Sequence, residues 1–490
     1  MGCLLPGSRA AAQDSTPAKL GRLTIDTLQM RIDASVLADD SMKGRATGSA
    51  GAAMAAAYIE HRLRRIGLQP LGNSFGLTVP LLSFRILAQT TLELRSPSDT
   101  IVFEYGRDFL VDRGGRSAFQ SFNGDVVFLG APDHAAASAT RLELDGRVIA
   151  FAGTIGTDAL GLEGDWVARG VAGIVQMVPD TDAFAAIRTN LGADRLVIDA
   201  PVEDAVWQSR LPRLIAGPRL TRRLLRDAAT PDAMRRGETR PGRALDAHIA
   251  LDIALDTTRI AGVNIAGVVP GSDPDLAHTY VAFAAHYDHL GAASPDERGD
   301  SIYNGFTDNA AGVAMLLGIA RAVRDSPPER SLLFLFFTGE ERGLLGSTFF
   351  ASEPPVSLEQ ITALINLDGG APPRPPVSWR IAGGLGTPLG EMAARMTTEA
   401  GWQPNLTTTS PNSDHWPFLY RGVPSLFLIP GPDWEATTAA EHDALLERWD
   451  HYHQPADAWT PDYPFAGIAR YAHLAARIGL ALANRSHPGR

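Results

Sequence analysis

Four short runs almost free of polar residues, at 279–285, 331–337, 361–367 and 425–429, recur in the second half of this chain with helix-like stretches between them. Each is too short to cross a bilayer. Each also lacks the apolar–polar alternation of a strand with one wet face, so it reads as a strand buried on both sides. The intervening stretches 309–324 and 389–400 carry the 3.6-residue period of helices that pack on a sheet. From Val263 onward the order strand, loop, helix, strand therefore predicts an α/β fold, a doubly wound, mostly parallel mixed sheet flanked by helices.

At 490 residues the chain exceeds the size at which one core usually stops growing, so a second domain is expected. Its place is marked by a change of texture. From Gly114 to Ala250 the apolar runs become short and β-like, as in Asp125-Val-Val-Phe-Leu129 and Arg147-Val-Ile-Ala-Phe-Ala152, with Gly and Asp turns between them. This gives a tail at 1–21, a main domain at 22–113 and 251–490, and a smaller β-rich domain inserted at 114–250. The basic, Pro-containing stretch from Arg222 to Arg243 is the expected exposed return segment. Upstream, 52–66 has helical periodicity and ends at Gly67.

A net charge of −11, from 44 basic and 55 acidic residues spread along the chain, argues against a nucleic-acid partner held through phosphates. No window has the length of a transmembrane helix. The one cysteine, Cys3, excludes both an intrachain disulfide and a multi-cysteine zinc site, so any metal must be held by His, Asp and Glu. The opening Met-Gly-Cys-Leu-Leu-Pro-Gly-Ser-Arg-Ala-Ala-Ala-Gln has the form of an export signal lacking its apolar segment, with Gly2-Cys3 like the end of a lipoprotein box. Export to the periplasm or medium, or lipid anchoring, is the expectation, and a cytoplasmic protein with an unstructured start is the alternative.

The chemistry is concentrated where the apolar runs stop. His286 follows the first, Glu340 and Glu341 follow the second, and Asp368 follows the third. Open α/β sheets bind ligands in the crevice outside the carboxyl ends of their strands, so three strands deliver ligand-type side chains to one place. A pair of cations needs a shared carboxylate as well as terminal ligands, and Asp308 lies in a loop suited to supply it. Asp288 is placed to accept the second imidazole proton of His286. Of the adjacent pair, Glu341 is assigned to ligation and Glu340 to taking a proton from water. His415, in Ser413-Asp-His-Trp-Pro-Phe418, offers a rival ligand or a substrate-pocket residue, whereas His289, His442 and His451 read as exposed loop histidines. The Gly72-Asn-Ser-Phe-Gly76 sequence follows a helix end rather than a strand, so a serine nucleophile has little support.

Five ordered motifs, His286-Tyr-Asp-His-Leu-Gly291, Ser301-Ile-Tyr-Asn-Gly-Phe-Thr-Asp-Asn-Ala-Ala-Gly312, Thr338-Gly-Glu-Glu-Arg-Gly-Leu-Leu-Gly-Ser347, Ile365-Asn-Leu-Asp368 and Tyr452-His-Gln-Pro-Ala-Asp457, together resemble the co-catalytic di-zinc aminopeptidases, a family that also holds glutamate carboxypeptidase-like and transferrin-receptor-like members. Met42-Lys-Gly-Arg-Ala-Thr-Gly48 resembles the opening of the same family, and the inserted region resembles a protease-associated domain. The resemblance implies two Zn2+ ions, with cobalt or manganese as possible substitutes. It implies that Asp308 bridges them, that His286 and Asp368 complete one ion, and that Glu341 and His453 complete the other. Tyr452 is then implied as an oxyanion donor and His415 as a substrate-pocket residue. A second Asp common before the bridging one is Thr307 here, a Ser common after it is Ala311, and Asp368-Gly-Gly370 lacks a larger apolar residue; none of these removes a ligand. The function implied is an exopeptidase acting on peptides from the amino end. The alternatives are a glutamate carboxypeptidase-like enzyme and a non-catalytic binding module of the same fold.

Overall fold

Ser331–Phe337 (β3) carries a large apolar side chain at nearly every position because both faces of its sheet are covered. Leu332, Phe334 and Phe336 enter one core cluster, while Leu333, Leu335 and Phe337 enter a second on the opposite face. The computed structural model that shows this describes residues 23–111, 120–131, 142–153, 160–191, 194–202, 211–225, 242–293, 295–435, 438–449 and 451–484. The expected tail, the Gly114 boundary and residues 226–241 of the expected return segment lie outside the described residues.

Two compact units are present, one of Met1–Leu77 with Val263–Arg490 and one of Thr78–Gly262. In the larger, Leu255–Val269 (β1), Tyr280–His286 (β2), Ser331–Phe337 (β3), Ile361–Leu367 (β4), Ser378–Ala382 (β5), Gln403–Thr407 (β6) and Ser425–Pro430 (β7) run in the order β6-β5-β7-β4-β2-β3-β1. The central pairs β7·β4, β4·β2 and β2·β3 are parallel, as is β5·β6, whereas β1·β3 and β5·β7 are antiparallel. The mixed, mostly parallel sheet expected from the sequence is therefore present, and it is doubly wound. Thr27–Leu37 (α1), Ala50–Ile66 (α2), Ala311–Val323 (α3), Pro388–Glu399 (α4) and Ala466–Ala483 (α5) contribute to the first core, with Phe350 and Phe418 from short helices in the other. Gly67 ends α2 in the left-handed conformation, with φ of 92°.

The smaller unit holds an eight-stranded sheet. Thr91–Arg95 pairs with both Thr100–Glu104 and Arg243–Asp252 in that sheet, which places the start of the unit at Thr78 and its end at Gly262. The expected boundaries at 114 and 250 are corrected accordingly. The exposed segment expected from Arg222 is corrected in part too, because Pro218–Leu225 is a helix with Leu220, Thr221, Leu224 and Leu225 buried, and Arg243 already starts a strand.

Candidate metal centre

His286 is the last residue of β2, and Asp368 directly follows β4, so parallel neighbours present both at the same edge of the sheet. Glu340 and Glu341 lie in the turn after β3. Asp308 belongs to the Phe306–Ala310 segment that leads into α3, and its loop is held from behind by the Asp457 carboxylate, which accepts the N–H groups of Thr307 at 2.8 Å and Asp308 at 3.1 Å. His453 follows the helix Ala439–Trp449 with φ of 57°, a left-handed backbone uncommon for residues other than glycine.

The five expected ligands meet. His286 Nε2 lies 3.1 Å from Asp308 Oδ1 and 3.0 Å from Asp368 Oδ1. His453 Nε2 lies 3.2 Å from Asp308 Oδ2 and 3.1 Å from Glu341 Oε2. Asp308 thus turns one oxygen to each half. Donor atoms bound at about 2.0–2.1 Å in a tetrahedral site stand roughly 3.3 Å apart, close to these separations. The Nε2 of His453 makes no well-formed hydrogen bond to either oxygen beside it, the arrangement expected of donor atoms grouped around an ion. Three carboxylates and two imidazoles divided in this way fit a pair of cations.

Supporting contacts fix the ligands. His286 Nδ1 lies 3.1 Å from the carbonyl oxygen of Asp288, which leaves Nε2 as the ligating nitrogen. The Asp288 carboxylate is 3.9 Å away and does a different job from the one expected. It accepts the Thr47 hydroxyl at 2.6 Å and the Glu340 backbone N–H at 3.2 Å, which pins the Glu340 turn to the segment just before α2. Ser413 donates its hydroxyl to the second oxygen of Asp368. Arg45 is buried, and its guanidinium spans the carbonyls of Leu37, Tyr287, Asn304 and Gly305, tying the two ligand loops together.

His289 is fully buried rather than exposed, with Nδ1 2.6 Å from Glu341 Oε1 and 3.7 Å from Asp308 Oδ2. The signal for it in the sequence is its spacing of three residues from His286. His415 is fully buried as well, hydrogen-bonded through Nε2 to Thr409 at 2.7 Å and packed on Phe427. That corrects its expected role: Phe427 lines the cleft and His415 backs it. Tyr452 is 64% exposed and stacks on the His453 ring at 3.8 Å, and its hydroxyl makes no hydrogen bond among the described residues.

The cleft over this cluster has a volume of about 1110 Å3 and is lined by Asp308, Glu340, Asp368 and Tyr452 together with the outer strands. Burial opposes charge on His453, but Asp308 and Glu341 outweigh it and lift the imidazole to about 10. Burial, with Asp368, Asp414 and Glu341 nearby, pushes the Glu340 carboxyl well above its usual range despite the opposing pull of His286. That is the direction a proton shuttle requires. Burial drives His415 down to about 3, so it is neutral.

Residues 264–476 match the model of Peptidase family M28. A probable zinc metalloprotease of Pyrenophora teres f. teres is 36% identical over 110 residues, 22% of this chain and 23% of that protein. Aminopeptidase YwaD of Bacillus subtilis is 26% identical over 197 residues, 38% of this chain and 36% of that protein. The chain thus spans well under half the length of these curated relatives. An aminopeptidase from Aneurinibacillus sp. strain AM-1 shares the fold, with a TM-score of 0.53 at 16% identity over 95% of both chains. The resemblance carried by the five sequence motifs is thereby supported.

Proposed function

We propose that this chain, with a peptidase family M28 match over 264–476, is a zinc-dependent aminopeptidase that binds two ions through His286, Asp308, Glu341, Asp368 and His453. The observation that carries the reading is the division of Asp308 between His286 on one side and His453 on the other. Zinc, when bound, supplies Lewis acidity that acidifies water and polarises a carbonyl.

Glu340 stands beside His286 and Asp368 without being needed as a sixth protein donor, which suits it to take a proton from the attacking water and return it to the leaving amine. Tyr452, on the cleft wall, is placed to donate its hydroxyl to the oxyanion. Asp288 and Asp457 hold the backbone of Glu340 and Asp308 and act as positioning residues. The cleft carboxylates are also suited to a substrate ammonium group, which favours the amino end of a peptide. The 78–262 unit is read as a protease-associated-like insert on the strength of its sequence. Among the described residues no helix is long and apolar enough to cross a membrane.

The test is a metal assay of the purified protein combined with a panel of amino-terminal amides and carboxyl-terminal dipeptides. Two zinc equivalents and chelator-sensitive hydrolysis of the amides are expected. Activity confined to substrates that need a free carboxyl end would replace this reading with a carboxypeptidase. Absence of both metal and hydrolysis would leave a binding module.

A further inference from the structure

Beyond the metal ligands the cleft floor is made by one face of the outermost strands. In β5, Trp379 and Ile381 are buried in the core, while Ser378 and Arg380 face the cleft. Ile429 of β7 pairs with Arg380, and Arg380 pairs with Asn405 of β6. Continuing the β4·β7 register by one residue beyond Leu367↔Leu428 sets Asp368 opposite Ile429. All four line the cleft, so Asp368, Ile429, Arg380 and Asn405 form one lateral row. Two strand spacings of ~4.8 Å separate Asp368 from Arg380, or about 10 Å.

Arg380 is the one cation among the described lining residues, in a cleft whose other charged groups are Asp308, Glu340, Asp368 and Asp433. It is exposed and makes no hydrogen bond or ion pair with any described residue. A guanidinium that serves the fold is normally tied to carbonyls, as Arg45 is, or to a carboxylate, as Arg62 is to Asp33. Arg380 instead keeps its planar fork of donors open beside the polar Asn405, two strands across from Asp368.

We infer that Arg380 selects substrates by binding a carboxylate about 10 Å from the metal ligand Asp368, across the apolar step of Ile429. This rests on the peptidase reading and adds a substrate class to it. The carboxylate has two chemical sources, an acidic side chain or the free carboxyl end of a very short peptide. Bidentate pairing with a carboxylate accounts for an unpaired arginine in a chain of net charge −11, where an acidic partner would otherwise be easy to supply.

The experiment compares zinc-loaded wild type with Arg380→Met and Arg380→Glu on four probes: glutamyl- and leucyl-p-nitroanilide, Leu-Gly and Leu-Gly amide. The ratio of kcat/KM for each carboxylate-bearing probe to its neutral counterpart is read. In Arg380→Met at least one ratio should fall about tenfold or more, the loss typical of a charge-assisted hydrogen bond, and Arg380→Glu should lower it further. A fall in the glutamyl ratio identifies the side chain as the source, and a fall in the Leu-Gly ratio identifies the carboxyl end. Unchanged ratios in both variants overturn the inference. Calorimetric binding of the same probes to zinc-loaded Glu340→Gln, with and without Arg380→Met, separates this from the function proposed above. Arg380-dependent binding, together with a wild-type protein that hydrolyses none of the four probes, sinks the peptidase reading and keeps the recognition role. Binding indifferent to Arg380, or absent for both carboxylate probes, sinks the recognition role.

Discussion

Asp457 accepts the backbone N–H of Asp308 at 3.1 Å, so the carboxylate proposed to bridge the ions is aimed by a residue that is not itself one of the proposed ligands. Asp457 also takes the N–H of Thr307, and it is almost fully buried. Asp457→Ala should therefore loosen the loop and weaken metal binding by roughly 10–100-fold, the usual cost of losing an outer partner of a ligand. Titration against a competing chelator measures this. Wild-type affinity in the variant would separate Asp457 from the centre.

Glu340→Gln tests the division of labour between the adjacent glutamates. The variant should keep its metal while kcat falls by about 10²–10⁴-fold, the range supplied by a positioned base. Glu341→Gln should instead lower metal content, because its Oε2 faces His453 Nε2 at 3.1 Å. Loss of metal from Glu340→Gln alone would reverse the two roles.

The smaller unit carries its own pH signature. Burial would raise the Asp108 carboxyl, but Arg107, the Glu104 N–H and Arg219 hold it below its ordinary value. The folded protein therefore releases this proton more readily than the unfolded chain. The resulting stabilisation is complete above the unfolded value of about 3.9 and disappears as pH falls through the lower folded value. Asp108→Asn should melt below wild type at neutral pH, and the difference should shrink toward pH ~3. A gap that stays constant across that range would rule out the linkage.

Gly479 lies where α5 crosses β2, and a Cβ built there would stand 2.2 Å from the Phe283 ring. Phe283 cannot yield easily, since it is fully buried and stacked on Phe334 at 5.4 Å. Gly479→Ala gains about 1 kcal/mol of helix propensity. Overpacking costs ~1–3 kcal/mol and should win, lowering the melting temperature. A more stable variant would show that the helix can shift outward.

The central strands were legible in the sequence because burial on both faces leaves no polar position to blur them. β3 and β4 fall at the expected residues 331–337 and 361–367. The outer strands β5 and β6 escaped for the opposite reason. Their cleft faces carry Ser378, Arg380, Gln403 and Asn405, and Pro404 interrupts β6, so neither reads as an apolar run. The same alternation conceals the setting of Arg380, because its row neighbours Asp368, Ile429 and Asn405 come from separate strands. The five residues that meet at the cluster could be named from motif order, whereas the places of His289, Asp457 and Arg45 needed distances. Their partners are Glu341, the Asp308 loop and the Tyr287 carbonyl, between 52 and 242 residues away along the chain.

Because the larger unit is assembled from 1–77 and 263–490, its first helices leave the ribosome long before their packing partners exist. At 5–20 residues per second the intervening 78–262 segment takes about 10–40 s to synthesise. Ile59 and Leu63 of α2, wholly buried in the finished core, stay uncovered through that interval. The Thr78–Gly262 unit, with its own sheet, can close first. Synthesis thus imposes a waiting period on α1 and α2, during which a holdase that masks apolar helix faces would raise the yield of folded protein.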